Sequence, residues 1–82
     1  MSETTDPTTT REVDARGLSC PMPVIELARA VDGLESGQSV LLTATDPAAR
    51  VDVPVWCRMK RHRLRSVAEE QGVLRFVVER VG

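Results

Sequence analysis

The chain has 82 residues with 11 basic and 12 acidic side chains, a formal net charge of −1. That size allows one small domain, and the balanced charge gives no global reason to expect nucleic-acid or membrane binding. Two cysteines, Cys20 and Cys57, make neither a C-x-x-C pair nor a zinc-like cluster, and they are too few for a disulfide scaffold.

Met1 to Thr10 is polar and without apolar periodicity. It reads as a disordered tail (1–10) ahead of a single domain over residues 11–82. It does not resemble a signal peptide, and no apolar run approaches the length of a membrane span. A cytoplasmic location is expected, where a lone thiol stays reduced.

Arg11 to Ala15 alternates weakly and suits a short strand, with Val13 and Ala15 inward. Gly17 permits a turn. Pro21 to Asp32 is the first helix, with Val24, Leu27, Ala28 and Val31 on one face and Gly33 as its stop. Ser39 to Thr45 is apolar and β-branched enough for a central strand, ended by Asp46-Pro47. A second helix is expected to be capped by Asp52, with Pro54 in its first turn and Val53, Trp56 and Cys57 buried; Ala48 to Val51 would be an irregular lead-in. Leu64 to Glu70 and Val73 to Val81 read as two strands. In the first, Leu64, Ser66 and Ala68 alternate with Arg65, Val67 and Glu69. Gln71-Gly72 between the strands predicts a hairpin. The order βαβαββ implies an α+β fold, a two-layer α/β sandwich with both helices on one face of a four-stranded mixed sheet.

The chemistry concentrates at Cys20-Pro21-Met22-Pro23. Proline is tolerated in the first turn of a helix, where backbone N–H groups lack intrahelical partners. Cys20 then reads as the N-cap, with Pro21 as the first helical residue and Pro23 as the third. The helix end favours negative charge by about 0.3–1 kcal/mol. Pro23 has no N–H, so Met22 N–H is the expected donor to the thiolate, and Arg16 adds positive charge if the turn folds back. Together these predict a thiol shifted from about 8.5 towards 7. Asp46, at the strand end, is expected to shape a loop near Cys20. Cys57, Trp56 and Phe76 read as core. His62 sits within the basic run from Arg58 to Arg65. That run reads as a solvated helix end, with docking of an acidic partner as its functional alternative. One tryptophan and one phenylalanine leave little material for base stacking.

The stretch Asp14-Ala15-Arg16-Gly17-Leu18-x-Cys20-Pro21-x-Pro23 resembles the signature of the TusA/SirA-like sulfur carriers. The resemblance extends to Asp46-Pro47-Ala48, to Asp52-Val53-Pro54-x-Trp56-Cys57 and to the closing hairpin, over roughly residues 12 to 81. It implies that Cys20 accepts sulfane sulfur as a persulfide, supported by Arg16, Gly17, Pro21, Met22, Pro23 and Asp46. It further implies loading by a cysteine desulfurase or rhodanese, unloading to a downstream acceptor protein, and no cofactor or metal. The family serves tRNA thiolation, molybdenum cofactor maturation, sulfur oxidation and thiosulfate uptake. Its best-known members carry Glu between the two prolines where this chain has Met22, a departure that bears on partner choice rather than on sulfur carriage. A monomer is expected. The alternative is a regulatory or redox partner-binding domain that carries no sulfur; a redox version would join Cys20 to Cys57.

Overall fold

A computed structural model describes residues 9–82. The elements run β1 (Thr9–Ala15), α1 (Met22–Asp32), β2 (Ser39–Ala44), α2 (Ala49–Lys60), β3 (Arg63–Glu70) and β4 (Val73–Glu79). The four strands form one mixed sheet in the order β1-β2-β4-β3. β1 and β2 are parallel, and β4 pairs antiparallel with both β2 and β3. α1 packs over β1 and β2, and α2 over β3 and β4. The expected two-layer βαβαββ sandwich is the observed architecture.

Burial follows from the two periods. Leu27, Ala30, Val31 and Leu34 enter the core from α1 and its exit, and Ala49, Val53 and Cys57 from α2. They meet Ala15, Val40, Leu42, Ala44, Leu74, Phe76 and Val78 from alternate strand positions. The buried stripe of α1 is rotated from the expected one: Pro23 and Ala30 are buried, while Val24 and Ala28 are only half-buried.

Several boundaries, and the alternation of one strand, differ from the sequence reading. β1 starts at Thr9, because its register with β2 extends to Thr9 opposite Ser39; the rest of the expected tail, residues 1–8, lies outside the described residues. α2 starts at Ala49, not at Asp52. Asp46-Pro47 both ends β2 and starts the helix, since Ala49 N–H donates to the Asp46 carbonyl (3.0 Å) and Ala48 N–H to Asp46 Oδ1 (3.0 Å). Pro54 therefore lies inside α2, where it removes the bond to the Arg50 carbonyl. In β3 the alternation breaks at a bulge between Leu64 and Ser66. It places Val67 opposite Phe76 on the helix side, at an edge where it stays 51% exposed. Finally, β4 ends at Glu79 instead of Val81.

Both hairpin residues, Gln71 (φ 53°) and Gly72 (φ 79°), are left-handed. That is the backbone of the tight turn whose twist matches flanking strands.

Candidate functional site

The site is built where β1 and β2 both end. Parallel strands deliver their following loops to the same edge, so the β1–α1 loop and the β2–α2 loop lie side by side. Leu18 N–H closes a turn on the Ala15 carbonyl (3.2 Å). Gly17 takes φ +82°, a conformation unfavourable for other residues, and its N–H donates to Thr45 Oγ1 (2.9 Å). Cys20 N–H donates to Asp46 Oδ2 (2.8 Å). One Asp46 carboxylate therefore holds the Cys20 backbone with one oxygen and the start of α2 with the other. These two backbone donors hold the Asp46 carboxyl below its ordinary range.

Cys20 is not the N-cap. The helix begins at Met22, with Pro21 at the capping position and Pro23 in the first turn; the Cys20–Pro21 peptide is cis. Met22 N–H donates to the Ser19 carbonyl (2.9 Å), so the donor expected for the thiolate is already engaged. Arg16 does not turn towards the sulfur either. Its Nε and Nη2 form a two-pronged pair with Asp14 (2.9 Å each), which lowers the Asp14 carboxyl to about 2.

The electrostatics of the sulfur are the reverse of the sequence expectation. Partial burial, a hydrogen bond to the Asp52 carboxylate, and the charges of Asp52 and Asp46 push the Cys20 thiol up to about 11. The expected fall towards 7 rested on the helix end and on Arg16. Neither supplies a partner, and two carboxylates do the opposite. Asp52 is thus the site residue that sequence reasoning missed, having placed it as a helix cap. The available signal was the stripe Asp52, Val55, Trp56, Met59 at i, i+3, i+4, i+7.

That stripe faces α1. With Pro21 and Val24 it lines a cleft of about 210 Å³ between the helices. Trp56 is half-buried there and stands at a tilt against the His62 ring, with centroids 5.5 Å apart. Phe76 is fully buried.

Cys20 is half-exposed and Cys57 is 2% exposed in the core; both are free thiols. Burial alone pushes Cys57 up to about 11. His62 accepts the Val81 N–H on Nδ1 (3.2 Å) at the far end of α2. The basic run is divided: Arg63 and Arg65 turn towards Glu79 (3.9 and 3.5 Å), while Arg58, Lys60 and Arg61 remain exposed at the end of α2. Among the described residues, no group of three His, Cys, Asp or Glu side chains is arranged to hold a metal, and no helix is long and apolar enough to cross a membrane.

The family model described as Sulfurtransferase TusA matches residues 11–80. The chain is 37% identical over 68 residues to the candidate sulfur carrier protein YrkI of Bacillus subtilis (strain 168), covering 83% of this chain and 91% of that protein. The crystal structure of a SirA-like protein from Desulfitobacterium hafniense superposes with a TM-score of 0.78 at 21% identity. The match covers 89% of this chain and all of that one, a likeness of fold.

Proposed function

The chain belongs to the TusA sulfurtransferase family of sulfur carriers, and from that premise we propose that Cys20 carries sulfane sulfur as a persulfide between a donor and an acceptor protein. The donor is a cysteine desulfurase or a rhodanese. The acceptor belongs to tRNA thiolation, molybdenum cofactor maturation or sulfur metabolism, and the relay runs in the cytoplasm. Met22, exposed beside Cys20, takes part in choosing between these partners.

One observation carries this reading: the half-exposed thiol has no exposed second thiol to resolve it. Transfer begins when the Cys20 thiolate attacks the outer sulfur of the donor persulfide. The donor S–S bond breaks, its electron pair leaves on the donor sulfur as a thiolate, and Cys20 keeps the outer sulfur with its proton. A neighbouring accessible cysteine would attack the new persulfide, expel sulfide and leave a disulfide. Cys57, 2% exposed on the core-facing side of α2, is withdrawn from that reaction.

Incubation with a cysteine desulfurase and radiolabelled cysteine tests this. Label is expected on the wild-type chain and on Cys57→Ser, to be released by dithiothreitol, and none on Cys20→Ser. Equal labelling of Cys20→Ser would overturn the assignment.

A further inference from the structure

The Cys20 site leaves a sheet edge and a cluster of charge unused, and the two lie together. β3 is an outer strand. Among the described residues it pairs with β4 alone, so backbone groups along its other side point outward. Past the bulge, Ser66 to Glu70 pair in unbroken register with Val77 to Val73. Val67 lies on the helix side of this edge, 51% exposed. The outer flank of α2 stands over it. Arg50, Pro54 and Arg58 recur every fourth residue of the helix, and Arg50 Nε donates to Glu69 Oε1 (3.0 Å), which turns that flank towards β3. The charges here do not balance. Residues 58–65 hold Arg58, Lys60, Arg61, Arg63 and Arg65 and no acid. Arg63 and Arg65 share the Glu79 carboxylate, and Arg58, Lys60 and Arg61 have no carboxylate partner among the described residues. By contrast, Arg16, Arg29, Arg50 and Arg75 each have one. The place is remote from the thiol. β2 and β3 both run antiparallel to β4, so β3 is parallel to β2 and starts at the end of the sheet opposite the Cys20 loop. It also borders the sheet on the side away from β1.

We propose that the β3 edge and the cationic end of α2 dock an extended acidic segment of a partner protein, which adds to the sheet beside β3 and sets its carboxylates against Arg58, Lys60 and Arg61. Strand addition takes affinity from main-chain hydrogen bonds and specificity from alternate side chains. Acidic side chains on the helix side of the added strand meet the unpaired cations, and an apolar one covers Val67. A nucleic acid cannot continue a strand ladder. Nor does this surface offer a ring for bases to stack on, since Phe76 is buried and Trp56 stands half-buried against His62. A second copy of the chain complements the cations poorly, because its Glu69 and Glu70 are already matched by Arg50 and Arg75. The purpose of the surface rests on the persulfide reading: a partner held here leaves Cys20 uncovered for transfer. The docking itself does not depend on sulfur. It selects partners by charge complementarity and weakens with salt.

The probe is the end-blocked peptide Glu-Val-Glu-Val-Glu-Val, titrated at low salt into the isotope-labelled chain and followed by NMR. Amide shifts are expected from Arg58 to Glu70, with the amides of Cys20 and Asp46 unmoved and alternate β3 amides slowed in hydrogen exchange. Arg58→Gln combined with Arg61→Gln should weaken binding about fivefold. Arg11→Gln combined with Arg29→Gln, the same loss of charge on β1 and α1, should leave it unchanged. Circular dichroism confirms that both double variants fold. The same peptide with proline in place of its second valine keeps the charge but lacks one N–H, and it should bind more weakly. Equal weakening in the two double variants, or equal binding of the proline peptide, would overturn the proposal. So would tighter binding of oligouridylate or of phosphatidylglycerol vesicles than of the peptide, or a dimer joined through β3 in sedimentation without peptide. Failure to load Cys20 with sulfur would instead count against the persulfide reading and leave these readouts standing.

Discussion

Asp46 is where two loops become one site. Its Oδ2 accepts the Cys20 N–H and its Oδ1 the Ala48 N–H. Asp46→Ala should lower Tm and speed hydrogen exchange at Cys20 and Ala48 beyond the general loss of stability. The pH dependence has a definite sign. The folded carboxyl titrates below its ordinary value of 3.8. The stability it contributes is therefore complete above that value and is lost as pH falls through the lower folded value. Gly17 makes a separate prediction. At φ +82°, with nothing within 4 Å of the place an added methyl group would occupy, Gly17→Ala meets backbone strain and no clash. Its cost should be about 1–2 kcal/mol, read in urea unfolding. At this scale the sequence was informative about which residues shape the two loops and less so about what they touch. Cys20, Gly17 and Asp46 were legible because glycine, proline and aspartate have strong local rules. The Asp14–Arg16 pair and the effect of the Asp52 charge on the Cys20 thiol were not, because each depends on where a loop turns in space. Arg16, two residues from Asp14, folds onto it instead of onto the sulfur.

At the scale of elements, the helix ends carry the information that periodicity lacks. α2 closes with Arg61 in the left-handed region (φ 61°), its N–H on the Arg58 carbonyl and the His62 N–H on the Cys57 carbonyl. That is the usual glycine-type stop made by a non-glycine residue. α1 is closed from across the fold. Arg80 Nη1 donates to the carbonyls of Val31, Asp32 and Leu34 (3.1, 3.2 and 2.7 Å), while its backbone pairs with Gly37 and Gln38. Arg80→Met keeps an apolar stem but leaves three carbonyls without that donor. It should destabilise by about 2 kcal/mol, with a Tm drop of about 8–16 °C for a domain this small. Helix and strand order followed from the spacing of Leu27, Val31, Leu74, Phe76 and Val78, which serve one core. The start of α2 did not. Asp46-Pro47 carries both a strand-stop and a helix-start signal, and only the pairing of β2 with β4, which ends at Ala44 opposite Leu74, separates the two. The bulge in β3 has no local signature in Leu64-Arg65-Ser66.

Across the whole molecule, the sheet decides what stays together. β4 lies between β2 and β3, so the last strand of the chain ties both helical units. His62 reports on that closure. It follows α2, stands against Trp56, and accepts the N–H of Val81 just past β4. Burial, then the Arg80 charge, hold its pKa below the ordinary 6.5, with Lys60 acting the same way and Asp32 opposing. A depressed basic group contributes stability above its ordinary value, which is lost as pH falls through the folded value. Thermal unfolding should therefore show a loss below about pH 6.5 that is reduced in His62→Gln. A pH dependence unchanged in that variant would place the acid sensitivity elsewhere, with Asp46 the next group to test.

The central claim is that Cys20 is the residue that carries sulfur, on its Sγ atom. It is tested most directly by intact-protein mass after incubation with a cysteine desulfurase and cysteine, and separately with a rhodanese and thiosulfate, on wild type and Cys20→Ser. A gain of one sulfur atom, removed by reductant and absent from Cys20→Ser, is the predicted result. No gain from either donor, or the same gain in Cys20→Ser, would contradict it.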